Sequence, residues 1–191
     1  MSEQNIQLLL HELISSFVEH PDALVVDVMA DGPGYFIFEV TPHREDESKL
    51  LGQRGCHVRS LQFLTYRFGE AQGKKYLFNL VTTQESGGRR QADRKATLFD
   101  PEPIKRILLE IMKALELPVH VSAEQDGTTE EGYLYFVFVI KVMDPKSGKT
   151  LLGPVPFGKG QMTLTEALGT LLRAIARAEG VVFQVEVEQT P

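Results

Sequence analysis

The 191-residue chain holds a single cysteine, Cys56. No internal disulfide can form, so the expected compartment is a reducing one, the cytoplasm. One cysteine beside five scattered histidines gives no ligand spacing for a Cys/His metal cluster, and neither a metal nor another cofactor is expected. The N-terminal stretch MSEQNIQLLLHELISS has no basic region and carries Glu3 and Glu12, unlike a secretory signal. No apolar run approaches the roughly 20 residues that span a bilayer, so no membrane partner is expected. Also missing are a Ser/His/Asp spacing, a paired-carboxylate motif and a metal pattern. The Glu45, Asp46, Glu47 run reads as a solvated turn. No catalytic residue is assigned, and the chain reads as a non-enzymatic protein.

What is present suits a folded protein. Hydrophobic residues make up 42% of the chain, enough for a buried core. The length allows one large domain or two of about 100 residues each. The net charge of −6 argues against a general polyanion binder, but it hides an asymmetry. Residues 1–50 hold ten Asp/Glu against two Lys/Arg, while residues 54–95 hold nine Lys/Arg against three Asp/Glu. Either one face meets an anion or this is an ordinary charged surface.

Apolar spacing sets out the elements. Ile6, Leu9, Leu10, Leu13, Ile14, Phe17 and Val18 fall on one helical face that stops at His20-Pro21. Residues 24–30 and 35–40 read as strands joined by the DGPG turn at 31–34. Residues 41–51 read as a loop and a short helix. After Gly55, the positions Val58, Leu61, Leu64, Thr65 and Phe68 mark a longer helix, and residues 74–81 a third strand. Residues 83–100, with a Gly-Gly pair and a basic cluster, read as a linker. A second set follows: a helix through Ile104, Ile107, Leu108, Ile111 and Leu115, and strands at 119–123 and 132–141. Then come a long loop at 143–162, a helix opened by the capping-box pair Thr163 and Glu166, and a strand at 181–187.

The two sets share the order helix, strand, strand, helix, strand. Gly34-Tyr35 matches Gly132-Tyr133, and Gly73 matches Gly180. The pattern reads as a tandem duplication, against the alternative of two unrelated α+β domains. The expected fold is α+β, in two tandem units: residues 1–82, the linker 83–100, and residues 101–191.

One stretch in the first unit carries chemistry: LLGQRGCHVRSLQFL at 50–64. Two glycines three apart frame Arg54 at the start of a helix. Glycine lets backbone turn tightly and lets another chain approach. The first amides of a helix lack internal partners and favour anions. Arg54 can reach a phosphate, and Leu50, Leu51 and Val58 can wall a groove for bases.

Element order and the GxxG frame together resemble the type II KH domain, over about residues 4–82. The segment is similar to the corresponding one in small KhpA-type bacterial proteins and in the KH domain of Jag-type proteins. The resemblance implies single-stranded RNA as partner, gripped over about four nucleotides, and a post-transcriptional role. The implied RNA contacts are Leu51, Gly52, Gln53, Arg54, Gly55, Val58, Arg59, Lys74 and Lys75. Arg89, Arg90, Arg94 and Lys95 would be auxiliary contacts, or merely solubilise the linker. At Gln53 such domains often carry a second basic residue. Cys56 and His57 read as helix-start residues. The alternative is a protein-interaction scaffold on a KH fold, pairing with another KH protein, or a ribosomal or envelope partner. Replacing both Gly52 and Gly55 by aspartate should weaken RNA binding with little change in melting temperature.

The second unit holds near-matches to phosphate loops. GPVPFGKG at 153–160 lacks the terminal Ser/Thr, and Pro154 and Pro156 remove amides that such a loop needs. The run SGKT at 147–150 lacks the first glycine. Nucleotide hydrolysis is not expected. The helix start TLTEA lacks the lysines of a double-stranded-RNA clamp. Gly158, Lys159, Gly160 and Gln161 fall at the GxxG place with the second glycine lost, so residues 101–191 read as a degenerate KH-like unit with an enlarged loop, or as a dsRBD-like α+β domain.

Overall fold

A computed structural model describes residues 2–82 and 96–189. The chain is α+β and divides into two compact units, Met1–Gln91 and Ala92–Pro191. No described helix is long and apolar enough to cross a membrane.

In the first unit, α1 (Glu3–Ser15) starts at Ser2, whose side chain accepts the Asn5 N–H at 3.3 Å. Its apolar stripe of Ile6, Leu9, Leu10, Leu13 and Ile14 is buried throughout. Next, β1 (Val25–Ala30) and β2 (Tyr35–Thr41) form an antiparallel hairpin with Val26 opposite Val40. The chain continues through α2 (Glu47–Leu51), a 3-10 turn (Gln53–Gly55), α3 (Cys56–Ala71) and β3 (Lys75–Leu80). Strand β3 lies parallel to β2, with Phe38 beside Phe78. A parallel neighbour needs a crossover, and the α2–turn–α3 segment supplies it. The sheet order is β1-β2-β3.

Helix α1 packs on β1 and α3 on β3, so both helices cover one sheet face. Alternation along the strands explains this: Val26, Phe38, Val40, Tyr76 and Phe78 are buried, while Val25, Met29 and Leu77 are exposed. Leu61, Phe63, Leu64 and Phe68 complete the core from α3.

The second unit repeats the plan. It contains α4 (Glu102–Ala114), β4 (Val119–Thr128), β5 (Leu134–Val142), α5 (Pro145–Leu152), β6 (Val155–Phe157), β7 (Gly160–Met162), α6 (Leu164–Glu179) and β8 (Val182–Gln189). Strands β4 and β5 pair antiparallel and β8 joins β5 parallel, giving the order β4-β5-β8. The capping box predicted at Thr163 and Glu166 is formed.

Two sequence expectations change here. Residues 143–162 are not a plain loop. Asp144 caps α5 by accepting the Lys146 and Ser147 N–H groups at 2.8 and 3.0 Å. Pro145 stands in the first turn, where its missing N–H costs nothing. Ser147, Gly148 and Leu151 are buried, so tertiary packing overrides the low helix propensity of Gly148. Nor do residues 158–161 form a GxxG-like helix entry, because Gly158 and Lys159 are the turn of the β6–β7 hairpin. Of the expected linker, residues 83–95 lie outside the described residues. Its end is packed: the Ala96 N–H donates to Gly180 O at 2.9 Å, and the Phe99 ring meets those of Phe136 and Phe183 at 5.2 and 5.3 Å.

Candidate functional site

The 52–55 loop lies between the end of α2 and the first turn of α3. Gly52 has φ 69° and ψ 174°, Arg54 φ 56° and ψ 28°, and Gly55 φ 75° and ψ 20°. The first pair of angles belongs to glycine almost alone. The Gly52 N–H closes α2 on Ser48 O at 3.0 Å, and the Gly55 N–H bonds Gly52 O at 3.1 Å. Among the described residues, neither the Gln53 N–H nor the Arg54 N–H has a partner. Both residues are exposed. Helix α3 is 16 residues long and its N-cap is Gly55, which offers no side chain to cap it. Open amides, the positive end of a helix dipole and an exposed guanidinium thus share one corner. That corner can hold an anion.

His57 holds the corner in shape. Its Nδ1–H donates to Lys49 O at 2.6 Å, tying the start of α3 to the end of α2. Its ring meets Phe17 edge-on at 5.9 Å. The same ring lies against Gly52: a Cβ there would fall 2.5 Å from His57 Cγ. At Gly55 a Cβ would meet nothing within 4 Å. The paired aspartate substitution would therefore act on folding through residue 52 and on the open corner through residue 55. The bracing role of His57 was not legible at a helix start, because the carbonyl it serves lies eight residues back.

Below the loop, α2 is anchored through Asp46. The sequence reading made 45–47 a solvated turn, but Asp46 and Glu47 are 0% and 2% exposed. The Asp46 carboxylate accepts the Glu19 and His20 N–H groups at 2.9 and 2.8 Å and lies 3.4 Å from Lys49 Nζ. Burial alone would push this carboxyl up. The two N–H groups, the His20 ring and the Lys49 charge outweigh it and hold it below the usual aspartate range. Lys49 also pairs with Glu19 at 2.6 Å. A charged residue ahead of a short helix was the signal available for this anchor.

The loop collects Leu51, Gly52, Gln53, Arg54 and Gly55, with Val58 and Arg59 on the first turn of α3. Leu51 and Val58 are half-buried, and Arg59 is exposed. Lys74 and Lys75 are not brought there. Lys74 precedes β3 and Lys75 opens it, at the far end of α3, whose 16 residues run about 24 Å. Lys74 is also engaged: its ammonium pairs with Glu3 and lies 5.5 Å from the Phe36 ring centroid. Lys75 is exposed. Arg89, Arg90, Arg94 and Lys95 lie outside the described residues. In comparisons with known proteins, no family model matches the chain and no curated protein matches it.

Proposed function

We propose that the chain is a non-enzymatic, single-stranded RNA-binding protein whose first unit is a type II KH domain. The second unit is then a KH-like relative that carries the β6–β7 hairpin in place of the GxxG loop. One observation carries this reading: an exposed glycine-framed corner with two unpartnered amides and Arg54 at a helix start. It sits in an α-β-β-α-α-β unit. Arg54 adds support. A non-glycine residue held at positive φ stores strain, and such strain concentrates at functional sites. RNA phosphates would lie on the Gln53 and Arg54 amides and the Arg54 guanidinium. Bases would pack beside Leu51 and Val58. Arg59, one turn on, extends the positive charge. A cytoplasmic, post-transcriptional role belongs to the same reading.

Fluorescence anisotropy with a short, labelled single-stranded RNA tests it. Gly55→Asp and Arg54→Glu both put negative charge where phosphate is expected. Aspartate tolerates the left-handed conformation of residue 55, and open space surrounds it. Each variant should lose about tenfold or more in affinity, or about 1.4 kcal/mol, while melting near the wild-type temperature. Equal binding by wild type and folded variants, or no binding by wild type, would reject RNA recognition here. The KH fold would then serve as a protein-interaction scaffold.

A further inference from the structure

The structure gathers a second set of side chains away from the loop amides. His20 follows α1, His43 and Glu45 follow β2, and together they offer three ligand atoms within 4.8 Å of one another. The two imidazole rings face each other, with centroids 4.1 Å apart and planes 36° from parallel. His20 Nε2 lies 3.5 Å from Glu45 Oε2. Its other nitrogen, Nδ1, lies 3.2 Å from Asp46 Oδ2. That carboxylate is wholly buried and fixed by two backbone N–H groups.

These contacts set the chemistry. Asp46 accepts the proton of His20 Nδ1, so a neutral His20 directs its Nε2 lone pair toward the Glu45 carboxylate. Two acceptors facing each other need a positive charge between them. A metal ion can supply it. Two ligands at about 2.0–2.1 Å on a tetrahedral zinc stand about 3.3 Å apart, close to the separation found. A ligating histidine ordinarily gives its other N–H to a carboxylate, as His20 does. Among the described residues, His43 Nδ1 accepts the distant Glu45 N–H, at 3.4 Å, a bond that coordination could replace. The neighbouring trio of Glu19, His20 and Asp46 is a poorer cage, because Asp46 already serves Lys49 and two amides.

We propose that His20, His43 and Glu45 form a binding site for a divalent transition metal of the zinc class, with Asp46 as the positioning residue behind His20. Solvent completes the coordination, since Glu45 is 64% exposed. The ion would pin the α1–β1 connection to the segment that enters α2. This proposal is independent of RNA recognition.

The test uses the full, untagged chain after treatment with a chelator. Zinc is titrated by calorimetry, and cobalt(II) by visible absorption. The expected result is one equivalent per chain, a cobalt spectrum of nitrogen ligation, and a zinc-dependent rise in melting temperature. His43→Ala and Glu45→Gln should each weaken binding at least tenfold and abolish the melting shift. Asp46→Asn should weaken it about 10- to 100-fold. Both ligand variants change surface-accessible side chains, and their unchanged circular dichroism without metal would confirm folding. No binding tighter than millimolar overturns the proposal. So does binding that both ligand variants retain, which would place the ion on His11, His57 or His120.

Discussion

At residue scale, Gly52 and Gly55 answer different demands. Gly52 combines a glycine-only backbone with the His57 ring against its α-carbon. Gly52→Ala should cost about 2 kcal/mol or more, whereas Gly55→Ala should cost about 1 kcal/mol. Urea unfolding of both variants checks this. On a His57→Ala background the Gly52→Ala cost should fall, because the ring no longer meets the added methyl. That non-additivity is the signature of direct contact. Arg54→Gly separates shape from charge. It removes a side chain from a positive-φ site, so stability should change by less than about 1 kcal/mol, while RNA affinity drops. The glycine pair and the basic residue were legible in LLGQRG because glycine spacing is local. The His57 brace and the burial of Asp46 were not, because their partners come from other turns and elements. His20 and His43, 23 positions apart, meet only once β2 has returned past the end of α1.

At element scale, the helices that carry the core followed from their 3.6-residue period, and the strands from β-branched and aromatic runs bounded by turn residues. The miss was α5, which lies inside the stretch 143–162 that reads as a long loop. Its cap at Asp144 and its burial against the rest of the unit decide the outcome instead. Thr163 gives a direct check on capping: its side chain accepts the Glu166 N–H at 3.0 Å, and Glu166 returns to the Thr163 N–H at 2.7 Å. Thr163→Ala should lower stability by about 1 kcal/mol, read as a shift in denaturation midpoint.

The tie between α1 and β3 has a pH signature at both ends. The Lys74 ammonium, above all, together with backbone N–H donation and the Tyr76 hydroxyl, holds the Glu3 carboxyl below its usual value against some desolvation. A depressed carboxyl stabilises the fold above its unfolded value of about 4.3, and this is lost as pH falls through the lower folded value. Burial first, then Glu3, raises the Tyr76 hydroxyl. That contribution is complete below about pH 10 and is lost as pH rises further. Glu3→Gln should therefore flatten the acid limb of the stability profile. Tyr76→Phe should flatten the alkaline limb. Denaturant unfolding across pH measures both.

At the scale of the whole molecule, a net charge of −6 leaves little general attraction for a polyanion, so the proposed RNA binding would have to come from a local site. The repeated element order was visible in sequence, because the glycine landmarks recur at nearly constant offsets. The hairpin that occupies the second unit's loop position was not, since three-residue strands carry too few alternations to register. The proposed RNA site, of about four nucleotides, would make few phosphate contacts and show a shallow salt dependence, about −0.7 per contact in a log–log plot. Arg54→Ala should reduce that slope by about 0.7. Neutralising Arg89, Arg90, Arg94 and Lys95 should reduce it further if the basic segment extends the footprint. The most direct measurement is an amide NMR titration of the full chain with short single-stranded RNA. The predicted result is that the largest shifts fall on Gln53, Arg54, Gly55 and the first turn of α3, in saturable fashion. Shifts confined to other surfaces, with these amides unmoved at saturation, would contradict RNA recognition at this loop.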